Sequence, residues 1–182
     1  MSAFTFPIAD AFGAAECDAI IALGEGAAEA APVWTGAGYD VDADARRART
    51  TPRIREADTA WLFDRLDELF MRAGEEFGLA VGPLSEPVQI VRYGEGDHFQ
   101  RWHTDGGFDR QEQRLVSVSV ELSDVGDYVG GVLEIVPDLV GRPRTLPRGG
   151  AMFFPSRALH RVTPVVTGVR RSLVAWTGPP PG

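Results

Sequence analysis

Residues 114–123 read RLVSVSVELS, the clearest two-residue alternation in the chain. Val116, Val118, Val120 and Leu122 fall on one face of an extended strand, and Ser117, Ser119 and Glu121 on the other. A helix would scatter those four apolar residues around its axis, so the segment reads as a strand with one face against a core. Its neighbours read the same way. PVQIVRY (87–93), HFQRWHTD (98–105), GGVLEIV (130–136), GGAMFFP (149–155) and RRSLVAWTG (170–178) are short β-type runs separated by Gly, Pro and Asp turns. Strands this short and closely spaced, with no helices between them, predict an antiparallel sandwich or jelly roll rather than a parallel sheet.

The half before residue 86 has a different character. AAECDAIIALGEGAAEA (14–30) carries apolar residues at helical spacing, with Gly13 at the N-cap and Glu16 three residues on as a weak capping box. EADTAWLFDRLDELFMRAGEEFG (56–78) is the stronger helix. Leu62, Leu66, Leu69, Phe70, Ala73 and Phe77 form one stripe, and Gly78 stops it. Between them the sequence predicts a short strand near Val33 and a mobile charged loop over 40–52. That loop is either a solvated connection or a lid over a site. The expected fold class is therefore α+β: two N-terminal helices in a lead-in of about 1–82, packed against a β core of about 83–178, in one domain.

Composition narrows the functional classes. A chain of 182 residues that is 44% hydrophobic and 24% charged can bury one substantial core. A net charge of −8 argues against nucleic acid, whose phosphates need a basic surface. The single cysteine, Cys17, allows no internal disulfide and fits a reducing compartment. MSAFTFPIAD lacks the basic start and apolar centre of a signal peptide, and no apolar run is long enough to span a membrane. The expectation is a cytoplasmic protein without a membrane partner.

Three histidines are present: His98, His103 and His160. In RWHTDGG (101–107), His103 and Asp105 stand two apart, and a strand would place both on one face. His160 follows near the start of another expected strand. Two imidazoles and a carboxylate are the ligand set that holds Fe(II) while leaving positions open. The pattern alone leaves a merely structural pairing open. Arg170 lies ten residues after His160, and Tyr93 ten before His103. A guanidinium grips a carboxylate through a two-pronged fork, and a phenol adds a further bond. An enzyme that uses 2-oxoglutarate needs such a clamp for the distal carboxylate.

Together, RYGEGDHFQRWHTDGG, RLVSVSVELSDVGDYVGGVLEI and GGAMFFPSRALHRVTPVVTGVRRSLVAWTGPP resemble the Fe(II)/2-oxoglutarate-dependent oxygenases, in their prolyl 4-hydroxylase-like, bacterial PKHD-type branch. The motifs cover about residues 88–180 in the family's order. The resemblance implies a double-stranded β-helix (jelly roll) core, with His103, Asp105 and His160 as iron ligands. It implies Arg170 as the clamp on 2-oxoglutarate, Tyr93 as its hydrogen-bonding partner and Trp176 on the pocket wall. Fe(II), 2-oxoglutarate and O2 would be required, with ascorbate as a candidate reductant. The reaction would be hydroxylation of a peptidyl prolyl, amino-acid or small-molecule substrate, releasing succinate and CO2. Asp105 favours hydroxylation, because related halogenases lack that carboxylate. One departure is Val132, where relatives commonly carry glutamate. That position is not a metal ligand, so the chemistry should survive, but inference about substrate from the relatives is weakened.

Two other classes stay open at this level: a catalytically idle sensor that binds metal or oxo acid, and a zinc hydrolase with the same ligands. The hydrolase leaves Arg170 and Tyr93 without a role. Among the remaining residues, His98 reads as a surface or strand-pairing histidine and Arg171 as an outward neighbour of Arg170. Trp102 reads as apolar wall or core, Gly130 and Gly131 as a tight turn, and Cys17 as a buried helix residue. The GPPPG tail reads as frayed. Nothing in the sequence speaks to oligomeric state.

Overall fold

The computed structural model describes residues 4–26, 28–106, 113–137 and 145–182. In chain order the elements are β1 (Phe6–Ile8), α1 (Ala14–Leu23), β2 (Glu29–Ala30), β3 (Val33–Trp34), β4 (Tyr39–Asp40), β5 (Arg49–Arg53), α2 (Ala60–Phe77), β6 (Val88–Tyr93) and β7 (Phe99–His103). They continue with β8 (Val116–Glu121), β9 (Tyr128–Gly130), β10 (Leu133–Ile135), β11 (Ala151–Pro155), β12 (His160–Val162), β13 (Val165–Gly168) and β14 (Arg170–Thr177).

The alternating strand β8 lies inside a seven-stranded sheet of order β1-β11-β8-β14-β6-β5-β2, every pair of which is antiparallel. A second sheet, β10-β12-β7, is joined by the ribbon β13-β9, and β3-β4 forms a separate hairpin. Val116, Val118, Val120, Leu173 and Ala175 turn to one side of the large sheet. There they bury against Cys17 and Ile20 of α1 and Leu62, Leu66 and Phe70 of α2. The other side of that sheet faces β7, β10 and β12 across a cavity.

That arrangement also decides what the polar face of β8 meets. Ser117 and Glu121 do not meet solvent: both are buried, Ser117 against Asp105, which lines that cavity, and Glu121 on a smaller cavity beside Arg170. An alternating strand says only that its two faces differ in chemistry. Here the polar face lines an internal site rather than water.

Local differences from expectation have identifiable causes. α1 stops at Leu23 rather than running toward residue 30. Gly24 caps it, and a Cβ at Gly24 would lie 2.6 Å from Ile90 Cγ2, so the sheet leaves room only for glycine there. Glu29–Ala30 then pairs with β5. The expected loop over 40–52 is largely ordered structure: Arg49–Arg53 is a strand paired along β6, and Ala45, Arg46 and Ala48 are buried. Its charges misled, because Arg46 points inward. The C-terminal tail packs as well, since the carbonyl of Pro179 would sit 2.8 Å from a Cβ at Gly82 and Gly82 N–H donates to Gly178 O at 2.9 Å. The capping box holds, with Gly13 N–H donating to Glu16 Oε2 at 2.7 Å. Among the described residues no helix is long and apolar enough to cross a membrane.

Candidate active site

β7 and β12 are hydrogen-bonded neighbours, and their register sets His103 directly opposite His160. The two rings lie 4.1 Å apart between centroids. Each Nδ1 sits 2.9 Å from a backbone carbonyl oxygen, that of Arg101 for His103 and of Ala158 for His160. A carbonyl only accepts, so Nδ1 carries the proton and a neutral ring turns a bare Nε2 inward. Burial and the neighbouring His160 push the His103 pKa down to about 3, which keeps that ring neutral.

Asp105 lies in a bend just beyond β7 and completes the cluster. Its Oδ2 is 3.4 Å from His160 Nε2, its Oδ1 4.0 Å from His103 Nε2, and all three ligand atoms fall within 4.8 Å of one another. The bend is held by two bonds to one acceptor, Asp105 N–H and Gly106 N–H donating to Ser156 O at 2.8 and 2.9 Å. Gly106 is required because a Cβ there would meet Arg114 O at 2.6 Å. Ser117 Oγ–H donates to Asp105 Oδ2 at 2.8 Å, and Trp176 bonds the same carboxylate. Burial alone would raise the Asp105 pKa, yet the two imidazoles and these donors hold it at about 2. Two bare imidazole nitrogens and an ionised carboxylate thus converge with outer bonds fixing each one. That donor set fits a divalent first-row cation.

The cluster lines one part of a cavity of about 380 Å³ between the two sheets. Tyr93, Arg170 and Trp176 line it too, while Arg171 lies outside it, as the register predicts. Tyr93 is paired directly across from Arg170 on β6, with the guanidinium 5.8 Å from its ring centroid. Gly131, at φ +58°, leaves room for the Arg170 stem, because a Cβ there would lie 3.1 Å from Arg170 Cδ.

Arg170 is not alone in its pocket. Its Nε donates to Glu121 Oε2 at 3.0 Å, and Tyr128 O–H donates to the same oxygen at 3.1 Å. Burial opposes the arginine's charge, but the Glu121 carboxylate outweighs it, so its pKa moves above the usual arginine value. The sequence reading missed Glu121 and Tyr128. The available signal was a glutamate in the middle of a valine-rich strand, on the same face as Ser117. It also missed Arg46 and the half-buried Arg114–Glu86 pair, in which Arg114 lies over Trp176 at 4.0 Å.

Other expectations divide. His98 pairs with Arg47 in an isolated bridge, as a strand-pairing residue would, but it is buried rather than on the surface. Trp102 is half-exposed beneath Arg161 and is not core. Cys17 is fully buried. Val132 lines a smaller cavity of about 220 Å³ that also touches Arg170, away from the His–Asp–His cluster.

Comparison with known proteins shows what the chain is similar to. The family model described as the 2OG-Fe(II) oxygenase superfamily matches residues 88–178. A PKHD-type hydroxylase of Synechococcus sp. (strain CC9902) is 36% identical over 89 residues, covering 49% of this chain and 40% of that protein. One from Idiomarina loihiensis is 30% identical over 127 residues, covering 66% of this chain and 53% of the relative. The chain thus spans about half the length of the curated relatives it matches. A prolyl-4-hydroxylase from Pseudomonas putida superposes with a TM-score of 0.73 at 19% identity, over 98% of this chain and 94% of that one. A Trichoplax adhaerens prolyl hydroxylase, solved with a hypoxia inducible factor peptide, gives 0.75 at 15% identity, over 96% and 83%. At such identities these two speak for the fold, a jelly roll.

Proposed function

Since this chain belongs to the 2OG-Fe(II) oxygenase superfamily, we propose that it is an Fe(II)- and 2-oxoglutarate-dependent hydroxylase acting within one domain. The observation that carries the reading is a single cavity holding a buried His–Asp–His cluster and a buried arginine. His103, Asp105 and His160 would hold Fe(II). Arg170 and Tyr93 would hold the distal carboxylate of 2-oxoglutarate, and Trp176 would fix the Asp105 carboxylate from the wall. Bound iron supplies oxygen activation coupled to decarboxylation of the oxo acid, giving succinate, CO2 and a hydroxylated product.

The chain's own residues do the positioning. The Arg101 and Ala158 carbonyls fix both imidazole tautomers, and Ser117 and Trp176 fix the carboxylate. Apolar walls such as Phe154, Val162 and Val174 keep bulk water from the reacting centre.

Succinate formation from 2-oxoglutarate with Fe(II), O2 and ascorbate tests the reading. Wild type should release succinate, and His103→Ala, Asp105→Ala and His160→Ala should each lose both turnover and Mn(II) binding while staying folded. Metal binding without succinate under any condition would favour an idle sensor. Hydrolytic activity supported by Zn(II) alone would favour a hydrolase.

A further inference from the structure

Among the described residues three arginines line the cavity, and they are not equivalent. Arg170 pairs with Glu121 and Arg114 with Glu86, both as ion pairs. Arg46 is 7% exposed, yet among the described residues no carboxylate lies within 4.0 Å of it. Its NH1 donates to Pro32 O at 3.0 Å, and its NH2 reaches Gln89 Oε1 only at 3.5 Å. Its Nε is shielded from water and has no hydrogen-bond partner among the described residues. A buried cation without a counter-charge is costly, and its orphaned donor is costly again.

The position gives that cost a use. Arg46 lies 4.8 Å over the ring of Phe99, which stacks 3.6 Å from the His103 ring at an interplanar angle of 12°. An anion on Arg46 therefore sits one small molecule away from the metal ligands. Arg46 also reaches toward Gln89, whereas Arg170 stands opposite Tyr93. Those two positions are four residues apart on β6, roughly 13 Å along a strand. The two cations serve different parts of the cavity, so one short oxo acid does not occupy both. Pro32, Val33, Trp34 and Tyr39 line the cavity as well and offer an apolar bed.

We propose that Arg46 is the substrate-recognition cation, and that the substrate is a small molecule with a free carboxylate and an apolar body, not an internal peptide segment. This rests on the hydroxylase reading and names its substrate class. The guanidinium would receive the substrate carboxylate through its unpaired Nε and the weakly engaged NH2.

The test uses free and N-acetylated α-amino acids, each matched with its carboxamide, and an N-acetylated, C-amidated prolyl peptide. Binding is read by calorimetry on Mn(II)-loaded protein with 2-oxoglutarate under anaerobic conditions, and coupling by succinate release in air. At least one acid should bind roughly 10–150-fold more tightly than its amide. Arg46→Met should erase that difference without weakening the amide, and Arg46→Lys should restore part of it because it keeps charge without the fork. Thermal melts of both variants verify folding. Equal binding of acids and amides, discrimination that survives in Arg46→Met, or preference for the capped peptide would overturn the proposal. So would an Arg46→Met defect confined to 2-oxoglutarate affinity. Acid discrimination through Arg46 in a protein that never makes succinate would leave the carboxylate site standing and sink the hydroxylase reading. Succinate formation without discrimination would do the reverse.

Discussion

Glu121→Gln is expected to tighten 2-oxoglutarate binding, although it removes a buried partner from the arginine that would grip it. Arg170 Nε donates to Glu121 Oε2 at 3.0 Å, and both side chains are less than a tenth exposed. When a distal carboxylate seats on the free edge of the guanidinium, two carboxylates share one cation. At a separation of roughly 5 Å and an effective dielectric constant of about 20, their repulsion is about 3 kcal/mol. Relaxation reduces that to about 1–3 kcal/mol, or roughly 5–150-fold in Kd. Glutamine keeps the length and an oxygen for the Arg170 Nε–H, so charge is the main thing lost. The same change withdraws an attraction present without ligand. The ligand-free protein should therefore lose about 1–2 kcal/mol, a fall of roughly 2–8 °C in Tm for a chain of this size. Calorimetric titration of 2-oxoglutarate into Mn(II)-loaded protein, with melts in parallel, measures both. An unchanged or higher Kd for Glu121→Gln would refute the argument and show that the carboxylate serves mainly to hold Arg170 in place.

Arg170→Ala should raise the Kd for 2-oxoglutarate by roughly 30-fold to several thousand-fold, from about 2–5 kcal/mol of lost charge-assisted bonding. Arg171→Ala, on the opposite strand face, should change it little. Ser117→Ala and Trp176→Phe each remove a donor to Asp105 and should weaken Mn(II) binding by about 10–100-fold in protein that still folds, measured by metal titration. The metal-free protein should lose stability as pH falls. The His103 pKa is depressed from 6.5 to about 3, so the unfolded chain takes up that proton first, and the stabilisation held above pH 6.5 drains away toward about 3. Urea midpoints across that range that stay flat would show His103 to be unperturbed.

The strands and the His–Asp–His cluster were legible in the sequence because both rest on short-range regularities. Alternation over 114–123 identifies β8, and H-x-D followed by a distant histidine needs only adjacent strands to close. The helix stripe from Leu62 to Ala73 is legible for the same reason. What escaped is what depends on a third element. Nothing near Glu121 in the chain announces its partner; β14 brings Arg170 against it, a contact 49 residues away in the chain. Arg46 sits in a run of charges that looks solvated, and only its neighbours Pro32, Gln89 and Phe99 reveal it as buried. Gly24 could not announce itself as a stop, because the clash that demands glycine comes from Ile90.

The pairing of β8 with β14 explains why these separate contacts form one working unit. Their register sets Ser117 opposite Trp176, and both bond Asp105 at the end that holds the His–Asp–His cluster. It sets Glu121 opposite Ser172, one same-face position from Arg170 at the other end. The two supports on β8 are four residues apart, so strand geometry spaces them by roughly 13 Å with little freedom to stretch. A slip of one residue would turn Ser117 and Glu121 into the helix-packed core and Val116, Val118 and Val120 into the cavity. The apolar packing that keeps those valines against α1 and α2 therefore also fixes the distance between the His–Asp–His cluster and Arg170. Stability of the core and the geometry of the proposed site are set by the same register, which is why a valine-rich strand can carry two supports of that site on its other face.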